Sequence, residues 1–163
     1  MTTRRYAAET TVPAEKSRAE IEATLTRYGA DAFAYGWDGP RAMIQFRHQG
    51  KYVRFVLPLP DRTDTRFTQY ESRGRIYERT PLQAQKEYEQ AIRQSWRALA
   101  LVIKAKLEAV EAGIVTFDQE FLSHFVLPNG ETFGDWAIPQ LARAYELGEM
   151  PRFALLPAHE EGR

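Results

Sequence analysis

The chain has 163 residues, with 22 basic and 22 acidic side chains and no cysteine. That length fits one domain able to bury a core without a metal or disulfide staple. The missing thiols exclude disulfides, thiolate metal sites, iron–sulfur clusters and cysteine nucleophiles. Balanced charge gives no bulk signal for nucleic acid or membrane. The longest stretch without a charged residue, 121–130, is too short for a membrane span. No apolar segment follows the basic start, so neither a secretory signal nor a membrane partner is expected, and the reading is a cytoplasmic α+β domain.

Residues 1–13 have few apolar positions and read as a flexible arm. A helix is expected over 14–29, with Glu15 in its first turn, Ile21, Leu25 and Tyr28 as its apolar stripe and Gly29 at its end. From Asp31 the hydrophobic period changes to two. Three strands follow over 32–37, 41–48 and 51–57, joined by Asp38-Gly39-Pro40 and Gln49-Gly50. Two short turns imply an antiparallel meander. Its apolar face carries Ala42, Ile44, Phe46, Val53, Phe55 and Leu57, and its polar face carries Arg41, Arg47, Tyr52 and Arg54.

After Pro58-Leu59-Pro60, residues 61–80 hold few core formers and five arginines, which reads as an irregular, mobile loop. Thr80-Pro81 then opens a helix of about 32 residues that Gly113 closes. Its apolar positions Ile92, Trp96, Leu99 and Ile103 should cover the meander's apolar face through Ile44, Phe46, Val53 and Phe55. A short helical turn is expected over 117–124. A last helix is expected over 132–147, with Pro139 marking a kink or a later start. The single domain spans 14–150, and 151–163 form a tail in which Phe153, Leu155 and Leu156 are available to dock on the body or on a partner.

The neutral total conceals a division. Residues 1–106 carry 19 basic and 12 acidic side chains, whereas 107–163 carry 3 and 10. On the long helix Lys86, Arg93, Arg97 and Lys104 fall within about 40° of one another. Arg-rich positions Arg73, Arg75 and Arg79 precede that helix, and the polar sheet face adds Arg41, Arg47, Tyr52 and Arg54. A long helix needs a solvated face in any case. Cations interleaved with aromatic rings are also how single-stranded nucleic acid is held, cations tracking phosphates and rings stacking on bases. Asp61, Asp64, Glu71 and Glu78 lie among them as local ion-pair partners.

Catalytic patterns find little support. His48, His124 and His159 are the only histidines. Glu120 lies four residues and Asp118 six residues before His124, a pattern that on a helix can bring carboxylate and imidazole together on a metal, against the plainer reading of a part-buried ring between Phe121 and Phe125. Pro60-Asp61 opens a nuclease-like pattern whose acid-x-Lys half does not follow. No glycine-rich phosphate loop occurs.

The segments from Thr11-Val12-Pro13 through Lys16-Ser17-Arg18 to Tyr28-Gly29-Ala30, Leu57-Pro58-Leu59-Pro60, Trp96-Arg97-Ala98-Leu99, and Leu127-Pro128-Asn129-Gly130 through Trp136 resemble a family of small uncharacterised proteins encoded in tailed-phage genomes and prophage regions. The resemblance implies a setting in phage nucleic-acid metabolism or in action on host machinery, and it transfers no activity. The expectation is therefore a non-enzymatic, cofactor-free phage protein that binds single-stranded DNA or RNA without sequence preference, through Arg41, Arg47, Tyr52, Arg54, Arg73, Arg75, Arg79, Lys86, Arg93, Arg97 and Lys104. The alternative is a protein–protein interaction module, an inhibitor or adaptor of a host protein, using the acidic C-terminal third.

Overall fold

The computed structural model describes residues 10–149. The expected arm is therefore described only from Thr10 onward, and the expected tail with Phe153, Leu155 and Leu156 lies outside the described residues. The architecture is α+β. Helix α1 (Ala14–Arg27) leads into an antiparallel sheet of β1 (Ala32–Asp38), β2 (Arg41–His48) and β3 (Lys51–Pro58), in the order β1-β2-β3. Short α2 (Thr65–Thr68), the strands β4 (Gln69–Ser72) and β5 (Arg75–Glu78), long α3 (Pro81–Glu111), α4 (Phe117–Phe121), a 3-10 turn over Leu122–His124 and α5 (Phe133–Leu147) complete it.

Local chemistry accounts for the boundaries. Gln49 and Gly50 both have positive φ, 51° and 76°, between the paired ends His48 and Lys51. That two-residue geometry twists in the sense the strands require. Thr80 caps α3 by accepting from the Gln83 amide, while the Gln83 side chain accepts from the Thr80 amide. Thr132 and Asp135 repeat the device at α5, which starts at Phe133 and runs through Pro139, so Pro139 marks no later start.

The core sits between one sheet face and the helices α1 and α3. Ala42, Ile44, Phe46, Val53 and Phe55 point inward with Ile21 and Leu25 of α1 and Trp96, Leu99, Ala100, Ile103 and Leu107 of α3, as the two apolar patterns anticipated. Phe117 and Phe121 close one end, the Phe121 ring standing edge-on to Phe46 and Phe55. Among the described residues no helix is long and apolar enough to cross a membrane.

The segment 61–80 departs from the irregular loop expected of it. It folds as α2 followed by the β4–β5 hairpin, turned on Arg73 and Gly74 with φ of 51° and 74°. Arg79 ties it down. Its Nη1 donates to the carbonyls of Arg66 at 3.0 Å and Phe67 at 3.4 Å, and also to that of Gln69. Phe67 is buried and meets Tyr88 of α3 edge-on at 5.6 Å.

Candidate nucleic-acid interface

The basic residues singled out in the sequence fall on three elements, the sheet, the hairpin and α3. Arg41, Arg47, Tyr52 and Arg54 lie on the sheet face that points away from the helices, because their neighbours Ala42, Phe46, Val53 and Phe55 point into the core. Lys86, Arg93, Arg97 and Lys104 ride on α3, which packs against the opposite face. Arg73, Arg75 and Arg79 belong to the β4–β5 hairpin. The sheet-face group and the α3 group thus lie on opposite sides of the sheet.

Several of these cations already have work within the fold. Arg97 donates to Glu20 of α1 at 2.5 Å, so the middle of the stripe faces a neighbouring helix. Arg93 grips Oε1 of Gln90 through Nε and Nη2. The Arg54 fork holds Gln45, and its Nη1 donates to the Gly130 carbonyl at 2.8 Å, pinning the segment before α5 beside β3. Arg47 donates to Asp31 at 2.8 Å. That hydrogen bond holds the Asp31 carboxyl below its usual range and raises Arg47. Arg41, Tyr52, Lys86 and Lys104 are exposed.

The sequence's charge division is also partly cancelled in space. Arg27 pairs with Glu108, Lys51 with Asp118 at 2.5 Å and Lys106 with Glu120 at 2.7 Å. Each joins the basic part of the chain to the acidic part. The same pairs dissolve the metal reading of His124, since Asp118 and Glu120 are each held by a lysine while the imidazole stacks on Phe55 at 4.0 Å. Among the described residues no group of three His, Asp or Glu side chains is placed to hold a metal.

The hairpin shows an arrangement that composition concealed. Tyr70 faces Tyr77 across the strands and Ser72 faces Arg75, so these four share one side. Gln69 with Glu78 and Glu71 with Ile76 occupy the other. The pleat thus separates the carboxylates from the Tyr–Arg face. The two tyrosine rings stack at 5.5 Å, both partly open to solvent, and the Arg79 guanidinium lies 5.4 Å from the centre of Tyr70. Beyond α2, Arg62 covers the Tyr88 ring at 4.9 Å in a cleft of about 690 Å³ bounded also by Thr11, Pro13, Gln90 and Arg93. The signal for this face was legible: Arg73-Gly74 flanked by Tyr-x-Ser and Arg-x-Tyr is the period of two around a glycine turn.

No family model, curated protein or solved structure matches the chain.

Proposed function

We propose that the protein is a non-enzymatic binder of single-stranded nucleic acid, indifferent to sequence, with the Tyr70–Tyr77 face of the β4–β5 hairpin as its contact surface. The observation that carries the reading is the segregation of that face, two solvent-facing rings with Arg75 beside them and both hairpin carboxylates on the reverse. The stacked pair offers an aromatic surface to a base whatever its identity, and Arg75 offers a planar cation to phosphate. The Arg62–Tyr88 pair continues the same chemistry toward the cleft. A phage or prophage setting, which the sequence resemblance implies, accords with this role.

Fluorescence anisotropy with a labelled oligothymidylate across a salt series tests it. Tyr70→Ala and Tyr77→Ala should each weaken binding by about 1–3 kcal/mol, and Arg75→Glu should flatten the salt slope. Lack of binding by the unaltered protein at low salt would reject the reading.

A second reading, a protein–protein module, draws support from α5. Ile138, Leu141 and Tyr145 lie at helical spacing along it and are all exposed. Capture of a host protein that Ile138→Glu abolishes, without nucleic-acid binding, would favour it.

A further inference from the structure

The two outer edges of the sheet are treated differently. Along β3, Phe125 bridges to Val53 and the Val126 amide donates to the Tyr52 carbonyl at 2.9 Å, so the segment before α5 covers part of that edge. Along β1 nothing among the described residues pairs. A strand edge exposes a row of unpaired N–H and C=O groups, and folded proteins blunt such edges with lysine, proline, bulges or a covering segment. β1 reads Ala-Phe-Ala-Tyr-Gly-Trp-Asp, with no lysine or proline, and is paired to β2 without a bulge from Ala32 to Asp38. Its aromatic residues are unusually open for side chains on the core side, with Trp37 at 69% exposure and Tyr35 at 43%.

We infer that β1 docks antiparallel on β1 of a second copy of this chain, making one continuous six-stranded sheet about a two-fold axis through Tyr35. The strand's own pattern selects this occupant. From Phe33 to Trp37 it alternates aromatic and small residues and is symmetric about Tyr35. Antiparallel pairing on that centre therefore sets Phe33 against Trp37, Tyr35 against Tyr35 and Ala34 against Gly36, so each rung joins like with like. The aromatic rungs lie on the face where Tyr35 already meets Trp96 edge-on at 6.3 Å, and they would cover the open Trp37 ring. Charges fit as well. Asp38 would lie opposite Ala32, whose neighbour on β2 is Arg47, so the outer row runs from the Arg47 cation of one copy to the Asp38 carboxylate of the other. Asp31, which already accepts from Arg47, would lie opposite Gly39, so no like charges share a rung. The main-chain hydrogen bonds of strand addition would satisfy the edge.

Sedimentation equilibrium of the full chain, from micromolar to sub-millimolar concentration, tests the inference. The expected result is a reversible shift from one chain to two. Ala34→Lys puts a charge on the central outer rung and Trp37→Glu removes an aromatic rung; each should give a monomer with an unchanged circular-dichroism spectrum. Hydrogen exchange supplies a reading independent of either substitution, because the amides within 33–37 that face away from β2 should become more protected as concentration rises. A monomer at every concentration overturns the inference, as does a dimer that survives both substitutions in folded protein. Protection of those outward amides that ignores concentration also overturns it, and assigns the edge to a segment of the same chain.

Discussion

Arg97 of α3 donates through Nη1 to Oε2 of Glu20 on α1 at 2.5 Å, with 25% and 35% of the two side chains left to solvent. A residue whose helical position suggested phosphate contact fastens α1 to α3. Charge reversal at this site therefore acts first on stability.

Arg97→Glu places two carboxylates together between α1 and α3. The pair remains partly solvated, so the coupling should be on the order of 1 kcal/mol rather than the larger value of a dry ion pair. A double-mutant cycle with Glu20→Arg, read by urea unfolding, should recover part of the loss in the swapped pair. Additive losses would show that the two side chains do not sense each other.

What the sequence made legible follows from which interactions are local. The meander was readable because its alternation and its Gly39 and Gly50 turns are decided within a few residues, and α3 because Thr80-Pro81 and Gly113 bracket it. The hairpin was missed because its four-residue strands are exposed and carry mixed charges, so the alternation around Arg73-Gly74 is not reinforced by a run of apolar residues. The stripe on α3 was angularly correct, yet a helical projection says nothing of what stands opposite, and Glu20 stands there. Arg54 and Arg79 were read as surface cations, although both reach main-chain carbonyls distant in sequence or across a turn. Arginine's five donors serve carbonyls as well as phosphates, and residue type alone does not separate the two uses.

Burial of His124 against Phe55 pushes its imidazole pKa below the ordinary 6.5, and the nearby Lys106 ammonium pushes in the same direction; the backbone hydrogen bond with Arg54 and the charge of Glu120 oppose them. The unfolded chain then binds more protons than the folded one as pH falls through 6.5. Stability is full above that pH and declines below it toward the lowered folded value. His124→Gln should remove this decline. Urea midpoints measured above neutrality and near pH 5 should differ more for the unaltered protein than for the variant. An equal difference in both would place the acid sensitivity elsewhere.

Arg79→Ala should loosen the hairpin without dissolving the core. The lost guanidinium served three carbonyls, those of Arg66, Phe67 and Gln69, and charge-assisted hydrogen bonds contribute about 1.5–3 kcal/mol when well shielded. Here the site is half-buried, so about 1 kcal/mol is expected, spent in local opening. Trypsin should cut faster after Arg73 and Arg75, while the global urea midpoint moves little. Unchanged cleavage would show that the turn, with Phe67 packed on Tyr88, holds the hairpin alone.

Gly134 in the first turn of α5 sets how that helix meets the rest of the protein. A Cβ built there would lie 2.8 Å from the Ser123 carbonyl oxygen and 3.3 Å from the Ser123 Cβ. Alanine would add about 1 kcal/mol of helix propensity, but the obstacle is main chain of the 3-10 turn and cannot swing aside. Overpacking of this kind costs about 1–3 kcal/mol, so Gly134→Ala should be net destabilising or should lift α5 off the turn. Either result also strains the neighbouring hydrogen bond from the Phe133 amide to the Phe125 carbonyl, now 2.8 Å, which helps to hold the covering segment on β3. Thermal unfolding and exchange rates of the 125–134 amides would report it. Ser123→Gly should not rescue the variant, because the closest contact is the carbonyl oxygen that glycine retains; full rescue would mean that the side-chain contact was the one that mattered.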